Sequence, residues 1–231
     1  MLHNIQELYG DRLAATDGDI GHVNDFYFDD RTWVVRYLVA DTGSWLSERL
    51  VLLSPHAFGH LDPDLDLVTV KLTRKQIENS PPIDAHRTVS RQFEQDYYQY
   101  YGWPAYWDGE GILGAAGFPV VATASEKKQT IHQGHNQRDD LHLRSTKEVT
   151  GYEIQASDGT IGVVKSFMVD GKSWAIGDLV VEAGHWYSGK EVLIAPSKIR
   201  RVSYDESKVF VNLTKSDIQR TAKDDVVKSR V

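Results

Sequence analysis

Apolar residues in the two outer thirds of this chain recur with the period of strands. Val68, Val70 and Leu72 alternate with Thr69 and Lys71, and Val209, Val211 and Leu213 repeat the pattern further on. Such alternation sets one face of a strand on a core and the other in water. Trp33 to Asp41 and Trp174 to Glu182 are instead mostly apolar on both faces, as a central strand buried on two sides must be. Short apolar runs at Leu50 to Leu53 and Val192 to Ile194 stop at Pro55 and Pro196. Val23, Phe26 and Phe28 are spaced three and then two apart, as are Val164, Phe167 and Val169. A period-two strand absorbs that spacing through a bulge, placed near residues 24 and 25 and again near 165 and 166. Asp17-Gly18 and Asp158-Gly159 are hairpin-turn signals, and Gly21 and Gly162 predict sharp bends inside the strands that follow. Thr73 with Gln76 predicts a capping box for a short helix that Pro81 and Pro82 end, and Thr214 with Asp217 predicts a weaker one.

These signals occur twice because the chain contains itself twice. Sliding it by 141 positions aligns residues 2–77 with 143–218 without a gap, and 26 of the 76 positions are identical. The matched residues include Gly21 with Gly162, Trp33 with Trp174, Trp45 with Trp186 and Pro55 with Pro196. An internal repeat of this kind is a duplication of one folding unit. Asp178 is the residue that breaks the apolar pattern of the second central strand.

Short strands with bends and bulges packed into so few residues predict an all-β protein of two tandem small β-barrels with short helices. The barrels are assigned to residues 1–80 and 141–220, the linker to 81–140 and a polar tail to 221–231. Closure of each barrel is expected to hide its strand edges, and Trp33 and Trp174 are each expected to pack inside their own barrel.

At these residues the sequence resembles the PRC-barrel family, known from the cytoplasmic domain of the photosynthetic reaction-centre H subunit and from a bacterial ribosome-maturation factor. The resemblance rests on ATDGDIGHVNDFYFDD, WVVRYLVADTGSWL and VLLSP in the first copy, and on ASDGTIGVVKSFMVD, WAIGDLVVEAGHW and VLIAP in the second. It implies a compact β-barrel that docks onto a larger complex, and it implies no catalytic residues. A photosynthetic or ribosome-associated, RNA-linked adaptor is the alternative that this resemblance carries.

Charge narrows the partners. Residues 1–77 hold 7 basic and 12 acidic side chains, residues 78–142 hold 5 and 9, and residues 143–231 hold 14 and 12. An acidic first half is poorly suited to a phosphate backbone, so nucleic acid is not the expected partner. Lys198, Arg200 and Arg201 form a small basic group that reads as a solvated face. The absence of cysteine from the sequence excludes thiolate chemistry and cysteine-bound zinc. It fits a reducing cytoplasm, the expected location. The opening MLHNIQELYGDR has no basic and then apolar segment of the kind a secretory signal needs. Gly111 to Ala124 is too short and too interrupted to span a bilayer, so no membrane span is expected.

No catalytic, cofactor or metal residue is assigned. Gly109-Glu110-Gly111-Ile112-Leu113-Gly114 fits a dinucleotide fingerprint in letters alone, because Pro119 forbids the crossover helix that would hold a pyrophosphate. His132, His135 and His142, with Asp139 and Asp140, supply metal donors but sit in a polar stretch with no framework to fix them. Asp17-Gly18-Asp19 lacks the remaining ligands of a calcium loop and reads as turn chemistry.

The linker carries what the duplication does not explain. Between Phe93 and Trp107 lie 8 of the chain's 24 aromatic residues. Phe93, Tyr97 and Tyr101 recur on one face of a helix that starts near Ser90 and ends by Gly102 and Pro104. Tyr and Trp suit interfaces as well as cores, so Phe93, Tyr97, Tyr101, Trp103, Tyr106 and Trp107 are the candidate interaction residues. Residues 108–140 are expected to be mobile. The resulting expectation is a non-catalytic module for protein binding or complex assembly, with an unidentified protein or a second copy of itself as partner. The alternative is a small-ligand or metal-responsive binding protein.

Overall fold

The computed structural model describes residues 1–46, 49–62, 66–81, 91–103, 142–184, 190–218 and 220. In the first copy the strands are β1 (Leu2–Asn4), β2 (Arg12–Ala15), β3 (Gly18–Asp29), β4 (Val34–Asp41), β5 (Leu50–Leu53), β6 (Phe58–Asp62) and β7 (Leu67–Val70), followed by helix α1 (Arg74–Glu78). Helix α2 (Arg91–Tyr101) belongs to the linker. The second copy holds β8 (Leu143–Ser145), helix α3 (Thr146–Val149), β9 (Glu153–Ala156), β10 (Gly159–Asp170), β11 (Ile176–Ala183), β12 (Glu191–Ile194), β13 (Ile199–Ser203) and β14 (Lys208–Val211). Residues 1–87 and 142–231 form one compact unit and residues 88–141 another.

Both copies have the same topology, β5-β4-β3-β2-β7-β6 in the first and β12-β11-β10-β9-β14-β13 in the second. The alternating β7 pairs in parallel with β2, and the doubly buried β4 lies between β3 and β5. Val35, Tyr37, Leu38, Val39 and Ala40 are all buried, so both faces of β4 are covered as its composition predicts. The predicted bulges are present as register shifts between Val23 and Asp25 and between Val164 and Ser166. Gly21 is required by close approach: a Cβ there would lie 1.9 Å from the Asp41 carbonyl oxygen, and one at Gly162 would lie 2.0 Å from that of Glu182.

The expected closure is corrected. The hydrogen-bonded path ends at β5 and β6 in one sheet and at β12 and β13 in the other, so neither sheet closes on itself. Instead, each sheet gains a seventh strand from the other copy. β1 pairs with β10 through Leu2↔Asp170 and Asn4↔Met168, while β8 pairs with β3 through Tyr27↔Ser145 and Asp29↔Leu143. The twelve-residue β3 and β10 make this possible. The start of each pairs with its own hairpin partner, and the far end extends past that short strand and accepts the exchanged one.

The helix caps follow the sequence. Thr73 and Gln76 form the predicted reciprocal box at α1. The turn aspartates also cap: Asp17 Oδ1 accepts from Arg74 N at 2.7 Å at the start of α1, and Asp158 accepts at 3.1 Å from Lys215 N, which opens the helical turn 215–218. The acidic turn is thereby explained by helix capping. Among the described residues no helix is long and apolar enough to cross a membrane.

Candidate functional site

Two regions answer to the expectations above: the aromatic linker helix, and the seam where the copies exchange strands.

Helix α2 forms where the aromatic period predicts it and stops at Gly102, whose φ of +68° suits glycine. Gly102 N donates to Gln99 O and Trp103 N donates to Tyr98 O at 3.0 Å. These are the paired 5→2 and 6→1 bonds of a Schellman cap, and the cap brings Trp103 back toward Tyr98. Tyr97 and Tyr98 are buried, Tyr101 and Trp103 are half-buried, and Tyr100 is 42% exposed. The Tyr101 and Trp103 rings stack with centroids 4.5 Å apart. Tyr97, Tyr101 and Trp103 are thus brought together as one aromatic cluster. Phe93 lies within the helix, but its side chain, together with Tyr106 and Trp107, falls outside the described residues.

At the seam, the turns before β4 and β11 meet. Trp33 and Trp174 adopt left-handed φ values of 56° and 57°, unusual for a bulky residue. Each turn is held by the aspartate that ends the preceding strand: Asp29 Oδ1 accepts from Arg31 N and Thr32 N, and Asp170 Oδ1 accepts from Lys172 N and Ser173 N. The return for this strain is reciprocal bonding between copies. Ile176 N donates to Trp33 O at 2.7 Å, and Val35 N donates to Trp174 O at 2.9 Å.

The indoles are buried as expected, but Trp174 does not stay in its own barrel. It stacks on Phe26 at 6.0 Å and meets Phe58 edge-on at 4.5 Å, both in the first copy. Phe28 and Phe167 touch across the seam at 5.3 Å, so the two hydrophobic cores are continuous. The turn geometry redirects the side chain across the axis, and strand periodicity carries no information about that direction.

A polar lock lies beside this core. The Asp25 carboxylate is 8% exposed and accepts from Ser145 Oγ, Thr146 Oγ1, Lys147 N and its own neighbour Phe26 N. Burial pushes its pKa up, and these four donors oppose that shift. Burial likewise raises the Tyr9 phenol, which sits 2.8 Å from Thr146 Oγ1. At the equivalent seam of the other copy the roles are exchanged: Ser166 Oγ donates to Asn4 Oδ1. Positions 4 and 145 correspond by the repeat, as do 25 and 166, so acceptor and donor have swapped sides while the bond is kept. That reversal was the signal in the sequence, visible only to a comparison of pairs rather than of single positions.

His142 is not a free linker imidazole. Its Nδ1 lies 2.9 Å from Asp30 Oδ1, while Arg144 Nε donates to Asp30 Oδ2 at 2.7 Å. His132, His135, Asp139 and Asp140 fall outside the described residues. Among the described residues no group of three or more His, Asp or Glu is placed to hold a metal ion. Asp30, His142 and Arg144 line a cleft of about 720 Å³ together with Trp33, Arg200 and Arg201. Of the basic group seen in the sequence, Arg200 and Arg201 therefore face a cavity.

Residues 3–77 match the family model of the PRC-barrel domain. That match covers the first copy; the second rests on the internal repeat and on its identical strand order. No curated protein matches the chain.

Proposed function

We propose that this protein is a non-catalytic assembly module in which two interlocked PRC-type copies form a rigid base and the aromatic linker segment engages a protein partner. The observation that carries this reading is the aromatic cluster of α2, with Tyr101 and Trp103 half-buried and Tyr100 exposed. Partially exposed Tyr and Trp supply large contact area with a polar tip at low entropic cost, which is how interface anchors work. The interlocked copies add stiffness of their own, since exchanged strands and a continuous core resist relative motion between them. A second copy of the chain is one such partner, since symmetric self-association is the commonest oligomeric form.

The test compares wild type with Tyr100→Glu and with Tyr101→Ala/Trp103→Ala, by light scattering and by capture from native lysate with mass spectrometry. The reading expects the wild type to dimerise or to retain a defined protein, and both variants to lose it while staying folded. Unchanged mass and unchanged captured proteins in both variants would overturn it.

A further inference from the structure

The duplication provides an internal control for the cleft beside Trp33, because each position there has a counterpart at Trp174. On the Trp174 side, Phe58 packs edge-on against the indole. On the Trp33 side the smaller Ile199 occupies the corresponding position, and the cleft lies there. Arg200 and Arg201 replace Gly59 and His60. A residue kept for packing alone has no reason to gain a guanidinium in one copy, and here two adjacent positions do.

The charges in the cleft do not cancel. Arg144 is matched by Asp30 at 2.7 Å and Arg201 by Glu206 at 2.6 Å. Among the described residues neither Arg31 nor Arg200 has a carboxylate partner, although both line the cavity. Arg200 rests against the Phe210 ring at 5.4 Å, which supports its stem without neutralising it. Two uncompensated guanidiniums match a dianion, and a phosphate monoester carries about −1.5 to −2 at neutral pH. Guanidinium forks are also the geometry that phosphate oxygens favour. Ile176, Val202 and Trp33 line the same cleft and are themselves buried, which adds apolar surface to it, and the volume falls within the usual range for small-molecule sites.

We infer that this cleft binds a small organic phosphate monoester, with the phosphate held by Arg31 and Arg200, Arg201 assisting, and the organic body resting on Ile176 and Trp33. The site is independent of the aromatic segment, so it stands or falls apart from the assembly reading.

Phenyl phosphate is the probe, followed by the NMR shifts of the Trp33 indole and the Arg200 amide. The expected result is saturable binding that weakens at least about tenfold for each guanidinium removed in Arg31→Gln and Arg31→Gln/Arg200→Gln. Lys172→Gln, at the counterpart of Arg31, leaves it unchanged. All three positions are exposed, so unliganded melting temperatures are expected to match wild type. Inorganic phosphate, which lacks the apolar body, binds more weakly. The inference is overturned by no saturable shift at about 10 mM probe, a regime where even a Kd in the millimolar range would register. It is overturned equally by undiminished binding in the double variant, or by equal affinity for inorganic phosphate. Binding to phosphatidic acid vesicles without any response to phenyl phosphate would reassign the arginines to a lipid surface.

Discussion

Ser145 Oγ donates a hydrogen bond to Asp25 Oδ2 at 2.5 Å across 120 residues of sequence, and because Asp25 Oδ1 also accepts from Lys147 N, a carboxylate on one copy's strand β3 helps to cap the other copy's helix α3. Removing the carboxylate takes the acceptor from the Ser145 hydroxyl and from the amides of Lys147 and Phe26, while Thr146 Oγ1 keeps Phe26 O and Tyr9 as partners. Asp25→Leu is therefore expected to destabilise the protein by about 3 kcal/mol or more, whereas Asp25→Asn, which keeps one acceptor oxygen, costs about 1 kcal/mol. Chemical denaturation of the three proteins at neutral pH checks the order.

The same carboxylate predicts a pH effect of definite sign. Its folded pKa is raised above the ordinary 3.8 by burial. The native state thus binds the proton more tightly than the unfolded chain, and this group's contribution to stability falls as pH rises through the folded value. The stability of wild type relative to Asp25→Asn should grow as pH is lowered from 7 through that raised pKa, levelling off below about 3.8. Paired denaturation curves across this range test it; a difference that shrinks on acidification would contradict the assignment.

Trp174→Ala removes an indole that fills the first copy's core against Phe26 and Phe58. The loss is expected to be about 3–5 kcal/mol. Because the cavity opens in the opposite copy, the near-ultraviolet signal of the whole body should melt earlier in one step.

Gly21→Ala and Gly162→Ala each drive a methyl into a backbone carbonyl, at 1.9 and 2.0 Å. Each should cost about 2 kcal/mol or more, since the strand crossing must open to admit it. Gly21 adds the strain of a φ of +119°. The melting temperatures of the two variants provide the measure.

The strands, bulges, glycine bends and capping boxes were legible because each is written locally, as a period of two, a spacing of three, or a hydroxyl three residues before an amide. Helix α2 was legible for the same reason through Phe93, Tyr97 and Tyr101. Strand exchange was not. Leu2–Asn4 and Leu143–Ser145 are three-residue segments with no period to read, and their partners lie in the other copy. Trp174 is a core residue, as its apolar strand predicts, but its ring fills the first copy's core, because a left-handed turn decides where that ring points. The cleft is not written locally either: Arg144, Arg200 and Arg201 belong to the second copy and Arg31 to the first, and they line one cavity only where the copies pair.

The central claim is that the two copies form one cooperative body, and native-state hydrogen exchange tests it most directly. Leu179→Ala lies in β11, inside the second copy's own core, and should remove about 2–5 kcal/mol. If the copies interlock as described, the amides of Leu38 and Val39 in β4 of the first copy lose the same protection as those of Val180 and Val181 in β11. Protection that falls in β11 while β4 keeps its wild-type value would show two independent units and contradict the account.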